Sequence, residues 1–223
     1  MKEIQYTFLS DGSSDKALMD ILTWLLRENQ VNYGIKSQWA DLRRLRQPPK
    51  ILSERIIKSI ELYPCDLLFI HRDAETETYQ KREAEIQASL AEAIKESVIT
   101  PPVICVIPIR MQEAWLLFDE KALRNAAGNP NGKQPLEIPH INILEKLPDP
   151  KNKLHELLCL ASGLKGRRLS KFSSEEVHKS VHRVAELIDD FSPLRVLSAF
   201  QKLEAAVKIV IQENGWCSES DMN

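Results

Sequence analysis

Asp66-Leu67-Leu68-Phe69-Ile70-His71-Arg72-Asp73-Ala74-Glu75 is the stretch that decides the fold. A short continuous apolar run that breaks into charge reads as a strand buried on both faces, the pattern of a parallel sheet. Upstream, Ile4 to Leu9 alternates polar and apolar residues and meets the turn Ser10-Asp11-Gly12-Ser13. Downstream, Val103-Ile104-Cys105-Val106-Ile107 is a third run, set between Pro101-Pro102 and Pro108, and Tyr33 to Trp39 is a weaker fourth. Helical stripes separate them. Leu18, Ile21, Leu22 and Leu25 share a face of Asp15 to Glu28, with Ser14 or Asp15 as N-cap. Leu52, Ile56, Ile57 and Ile60 do so in Ile51 to Leu62, and Ile86, Leu90 and Ile94 in Thr76 to Glu96. This alternation predicts right-handed βαβ units: an α/β fold with a mostly parallel four-stranded sheet flanked by helices.

The pattern changes near Ala126. Asn125 to Pro135 is rich in Gly, Asn and Pro, and Pro139, Pro148 and Pro150 keep the following stretch irregular. Helical patterns return over Lys151–Ala161, Ser173–Ile188 and Pro193–Gln212. Ser173 and Ser174 with Glu176 read as a capping box, and Pro193 suits a first helical turn. The expected organisation is an α/β domain over 1–125, a turn-rich connection over 126–150, a helical subdomain over 151–215 and a flexible tail over 216–223.

The 223 residues carry 30 Lys and Arg against 32 Asp and Glu, a net charge of −2, which excludes a uniformly basic nucleic-acid coat and an acidic disordered protein. No apolar run approaches the ~20 residues of a membrane span, and Met1 to Leu9 is too polar for a signal peptide. Cys65, Cys105, Cys159 and Cys217 are dispersed, which fits reduced thiols rather than zinc ligands or disulfides. The expectation is a cytoplasmic protein with no membrane partner.

Ligands of open α/β sheets bind beyond the carboxyl ends of the strands, and each strand delivers acids there. The first gives Asp11 and, four residues on, Asp15; the second gives Asp73 and Glu75, whose side chains converge if the backbone stays extended; the third gives Glu113. Two such charges 4 Å apart cost roughly 4 kcal/mol at an effective dielectric of about 20. A hard divalent cation relieves this, and Mg²⁺ characteristically combines one or two carboxylates with waters and phosphate oxygens. The expected catalytic and metal-binding residues are therefore Asp11, Asp73, Glu75 and Glu113, around Mg²⁺ or Mn²⁺. Asp15, His71, Arg72 and Arg110 are secondary candidates.

This arrangement resembles the Toprim fold, the acidic metal-binding domain of topoisomerases, primases and overcoming-lysogenization-defect nucleases. That resemblance implies an acid after the first strand, an Asp-x-Asp motif after a later one, and Mg²⁺ between them. Asp11 of Ser10-Asp11-Gly12 stands where that fold has Glu before Gly, and Asp73-Ala74-Glu75 stands for the Asp-x-Asp pair. The chain as a whole is similar to a bacterial Toprim-like family of unknown function, often found near defence genes. The likeness lies in His71 to Glu75, Pro108 to Trp115, Asp149-Pro150-Lys151 and Ala161 to Arg168. Asp11 for Glu shortens one side of the site by a methylene, and Glu75 for Asp lengthens the other.

Two segments are basic. Residues 36–58, with Arg43, Arg44 and Arg46, and residues 151–171, with Lys151, Arg167 and Arg168, each sum to +5. These residues are candidates for phosphate or nucleic-acid binding. His140, His155, His178 and His182 read as structural residues; His178 and His182 share a helix face at i, i+4, but no third ligand accompanies them. Gly128 to Gly132 is not a P-loop, so an ATPase would be a separate partner. The leading expectation is a metal-dependent phosphodiesterase (a nuclease) on DNA or RNA, in phage or mobile-element defence by resemblance. The alternatives are a non-catalytic Toprim-scaffold regulatory subunit of an ATPase-containing complex, and a small nucleotide phosphohydrolase.

Overall fold

Leu67–His71 is buried at every position, and it occupies the inside of the sheet accordingly. In the computed structural model, which describes residues 2–96 and 100–217, four strands form one sheet: β1 (Glu3–Leu9), β2 (Gly34–Trp39), β3 (Leu67–His71) and β4 (Val103–Val106). All pairings are parallel and the order is β2-β1-β3-β4. The fold is the α/β architecture expected, and its sheet is entirely parallel. β2 lies at an edge and none of its residues is fully buried, which is why its sequence signal is weak. From β1 the chain steps outward to β2, then returns across β1 to β3, so the strand order reverses between β1 and β3.

Among the described residues eight α-helices flank the sheet: α1 (Leu18–Glu28), α2 (Leu52–Leu62), α3 (Tyr79–Lys95), α4 (Glu120–Ala126), α5 (Pro150–Ser162), α6 (Gly166–Lys171), α7 (Val177–Leu187) and α8 (Ser198–Glu213). In α1 the expected stripe of Leu18, Ile21, Leu22 and Leu25 is buried. Each such side chain contributes roughly 1.5–3 kcal/mol on leaving water. Helices α2 and α3 pack together, whereas α1 packs against α7 and α8, and α8 also reaches β4. Ile94, at the end of the α3 stripe, is 50% exposed, so the contact does not run the full helix. One connected core extends from Ile4 to Ile211 and includes Trp115, whose ring meets Phe200 edge-on at 5.4 Å. The four cysteines are unpaired, and among the described residues no helix is long and apolar enough to cross a membrane.

Three local expectations change. Ser173, Ser174 and Glu176 do not cap a helix, because helical backbone already runs from Gly166 through a π-helical turn at Phe172–Glu176 into α7. The Pro193–Gln212 helix is divided: a 3-10 turn at Ser192–Val196 ends at Leu197, and α8 begins at Ser198. Glu145 caps this second start, accepting hydrogen bonds from the backbone N–H of Ser198 and Ala199. Of the expected flexible tail, Cys217 makes an antiparallel bridge to Val31, and residues 218–223 lie outside the described residues.

Candidate functional site

The reversal between β1 and β3 opens a crevice at the strand carboxyl ends, where ligands of open α/β sheets bind. The loop after β1 and the segment after β3 line a cleft there of about 320 Å³, with Asp11, Asp15, His71, Arg72, Asp73 and Glu75 in its wall. The post-β3 segment stays zipped to the chain beyond β4: Arg72 N–H donates to Val106 O, Ala74 N–H to Pro108 O and Glu75 N–H to Arg110 O. These hydrogen bonds fix Asp73 against the 3-10 turn Gln112–Leu116, which carries Glu113.

Asp73 is the electrostatic centre. Burial, then the nearby Glu113 and Asp15 carboxylates, push its carboxyl up to about 8, offset in part by a hydrogen bond from the Gln112 backbone. Its Oδ1 is buried and has no hydrogen-bond partner among the described residues. Burial likewise raises the Glu113 carboxyl, with Asp15 and Asp149 adding to the effect and Lys151 opposing it. Asp15 is buried and organised. It accepts from Gly12 N–H at 2.8 Å, from Ser14 Oγ at 3.0 Å and from Gln112 Nε2 at 3.0 Å. Asp15 therefore braces the loop from inside the cleft rather than capping α1.

His71 is buried and stacks on Phe8. Its Nδ1 lies 2.9 Å from Val106 O. A carbonyl only accepts, so Nδ1 carries the proton and Nε2 keeps a lone pair. That lone pair faces Asp73 Oδ1 at 3.6 Å. Burial lowers the imidazole's basicity, keeping it neutral.

Asp11 and Glu75 behave differently. Asp11 is half-exposed, ion-paired to Arg55 of α2 and 3.6 Å from Arg72 Nε. The backbone at Glu75 is not extended: φ is +54°, and the side chain turns to Arg82 of α3, with 3.1 Å between Oε2 and the guanidinium. Arg110, at φ +66°, sits opposite and also reaches Glu75 O. Two non-glycine residues in the left-handed region, hydrogen-bonded to each other at a cleft mouth, are concentrated backbone strain. Among the described residues, no three His, Cys, Asp or Glu side chains form a ready ligand set for a metal ion. The donor chemistry nevertheless suits a hard cation: crowded carboxylates, one with an unpartnered buried oxygen.

The basic candidates divide. Arg43 and Lys50 line a second cleft of about 170 Å³ that shares Asp11 with the acidic one. Arg43 lies over the Trp39 ring at 4.7 Å and Lys16 over it at 4.6 Å. Arg44 pairs with Asp41, and Arg46 is exposed. Lys151 lines a third cleft beside Glu113. Arg167 and Arg168 are exposed on the first turn of α6 and line none of these clefts. His155, His178 and His182, read as structural, are brought together in the third cleft, the His155 and His178 rings 5.0 Å apart. The i, i+4 spacing of His178 and His182 placed those two on one face, but their meeting with His155 comes only from the packing of α5 on α7. No family model, curated protein or solved structure matches the chain.

Proposed function

We propose that the protein is a divalent-metal-dependent phosphodiesterase acting on DNA or RNA. The observation that carries this reading is Asp73: a buried carboxyl held near pH 8 by burial and by Glu113 and Asp15, with one oxygen unpartnered, at the sheet's reversal point. A protein gains nothing in stability from such an arrangement, and strongly perturbed carboxyls in a cleft mark functional sites. Asp73 would hold Mg²⁺ or Mn²⁺, with Asp15 and Glu113 drawing in to complete a ligand set that they do not form at rest, and Asp11 and Glu75 contributing from the rim. When bound, such a cation would polarise a phosphoryl oxygen and activate water. Arg72, in the same cleft wall, would bind the non-bridging phosphate oxygens in exchange for its contact with Asp11. His71 Nε2 offers a fixed proton-accepting position beside Asp73. Arg43, Lys50 and Trp39 continue the surface on one side and suit a sugar-phosphate backbone and a base. A role in phage or mobile-element defence rests on the Toprim resemblance alone.

The test is incubation of the full chain with plasmid, single-stranded DNA and RNA, in Mn²⁺, Mg²⁺ or chelator. Metal-dependent cleavage that disappears in Asp73→Asn and in Glu113→Gln supports the reading, and absence of cleavage on every substrate overturns it. A second reading, a non-catalytic scaffold docking on a separate ATPase, is favoured by the pairing of Asp11 and Glu75 with arginines. Cleavage by the isolated chain excludes it.

A further inference from the structure

The third cleft has a composition that the acidic site does not explain. It measures about 260 Å³ and is lined by Ser14, Glu113, Lys151, His155, His178 and His182. Four basic side chains from α5 and α7 converge on one small space, and they act on one another. Burial, then His178 and Lys151, lower the basicity of His155. Burial, then Lys16, lower that of His182, with Glu186 and Asp15 opposing. An anion placed among crowded basic groups favours their protonated forms, just as a cation favours the ionised forms of crowded carboxylates. Lys151 cannot ligate a metal while protonated, and it would repel one; toward an anion it is a charge-assisted donor. Ser14 adds a hydroxyl, and the Glu113 carboxyl also lines the cleft. The π-helical turn Phe172–Glu176 directly precedes Val177 and His178, and such turns shift the register of the side chains that follow. The volume falls below the ~300–1,000 Å³ of pockets that enclose whole drug-sized ligands, so the cleft suits a single tetrahedral group.

We propose that the Lys151–His155–His178–His182 cleft is a second phosphate site, holding a non-reacting phosphate of the substrate next to the acidic centre. The link to a substrate rests on the phosphodiesterase reading; phosphate binding itself does not. Ser14 lines both clefts, so the two adjoin, and a phosphate here would belong to a nucleotide next to one seated at Asp73.

The probe is inorganic phosphate, titrated into the full chain with chelator present and followed through the imidazole nitrogen resonances. Saturable shifts of His155, His178 and His182, with His140 unmoved, are expected; no saturable shift overturns the proposal. Lys151→Gln should weaken phosphate about tenfold or more, the factor expected for a lost charge-assisted hydrogen bond. His178→Gln is the parallel variant should Lys151→Gln fail to fold, and unchanged affinity in a folded variant overturns the site. Short oligothymidylates with and without a 5′-phosphate identify the source. Displacement of inorganic phosphate by both means an internal diester, and displacement by the phosphorylated one alone means a chain end. Displacement by neither overturns the substrate role. Phosphate binding without cleavage by the protein removes the enzyme reading and leaves the site; cleavage without phosphate binding does the reverse.

Discussion

Five acids gather at the carboxyl edge of one sheet, yet they form two groups with opposite physics. Asp15, Asp73 and Glu113 lie inward, and burial and mutual repulsion hold Asp73 and Glu113 toward their neutral forms. Asp11 and Glu75 lie at the rim, ion-paired to Arg55 and Arg82. The inner group stores electrostatic free energy that a ligand can release. The rim group is already satisfied, and exposed pairs of this kind contribute only about 0–1 kcal/mol. Residue type alone therefore does not define a site; what each carboxylate lacks does.

The sharpest way to break this contrast is Asp73→Asn. It should lower metal-dependent cleavage by about 10²–10⁴-fold while stabilising the fold, because an amide carries no charge to bury. A raised midpoint in thermal melts is expected at and above pH 8, where the wild-type carboxyl would have to be buried charged. A variant that loses stability as well as activity would place Asp73 among the structural residues.

The pH dependence follows from the same residue. Its carboxyl titrates at about 8 in the folded protein and near 4 in an unfolded chain. Between those values the native state keeps a proton that the unfolded chain has released, so raising the pH favours unfolding. Stability should fall from about pH 4 to pH 8, Asp73→Asn should flatten that fall, and Mn²⁺ should oppose it at the upper end. Denaturant midpoints across this window measure all three.

At the rim, Arg72→Gln should reduce cleavage about tenfold, as expected for one lost charge-assisted contact to phosphate. Its effect on stability should stay within about 1 kcal/mol, and single-turnover rates beside urea melts separate the two. The smallest effect concerns the strained turn. Glu75→Gly and Glu75→Ala both lose the ion pair to Arg82, but only Gly relieves the left-handed backbone. The Gly variant should be the more stable by about 1 kcal/mol, read from urea midpoints; equal midpoints would mean the turn is not strained.

The strands were legible because burial on both faces leaves continuous apolar runs, as in Leu67-Leu68-Phe69-Ile70. The acids after them were legible for a topological reason, since parallel strands place all their carboxyl ends on one edge. What each acid does there was not. Asp11 and Glu75 depend on arginines from α2 and α3, contacts that span 44 and 7 residues of chain. The extended backbone expected at Glu75 fails because a left-handed turn intervenes, and Glu in sequence carries no sign of one. Ser173-Ser174 imitates a helix start while lying inside a helix, since capping residues also fit a π turn. The histidine cleft was only half legible: His178 and His182 share a face at i, i+4, but Lys151 and His155 lie on a separate helix that meets them only after folding.

The loop from Ser10 to Asp15 has one further property. Each of its six residues lines at least one of the three clefts, and Asp11 and Ser14 are each shared by two of them. It is a common wall, so occupancy of one cleft alters the surface offered by the next. Thermodynamic reciprocity then fixes the bookkeeping of such a wall: whatever factor an anion beside the histidines imposes on cation affinity at Asp73, the cation returns unchanged to the anion. Measuring either affinity in the presence of the other ligand thus reads out how stiff these six residues are.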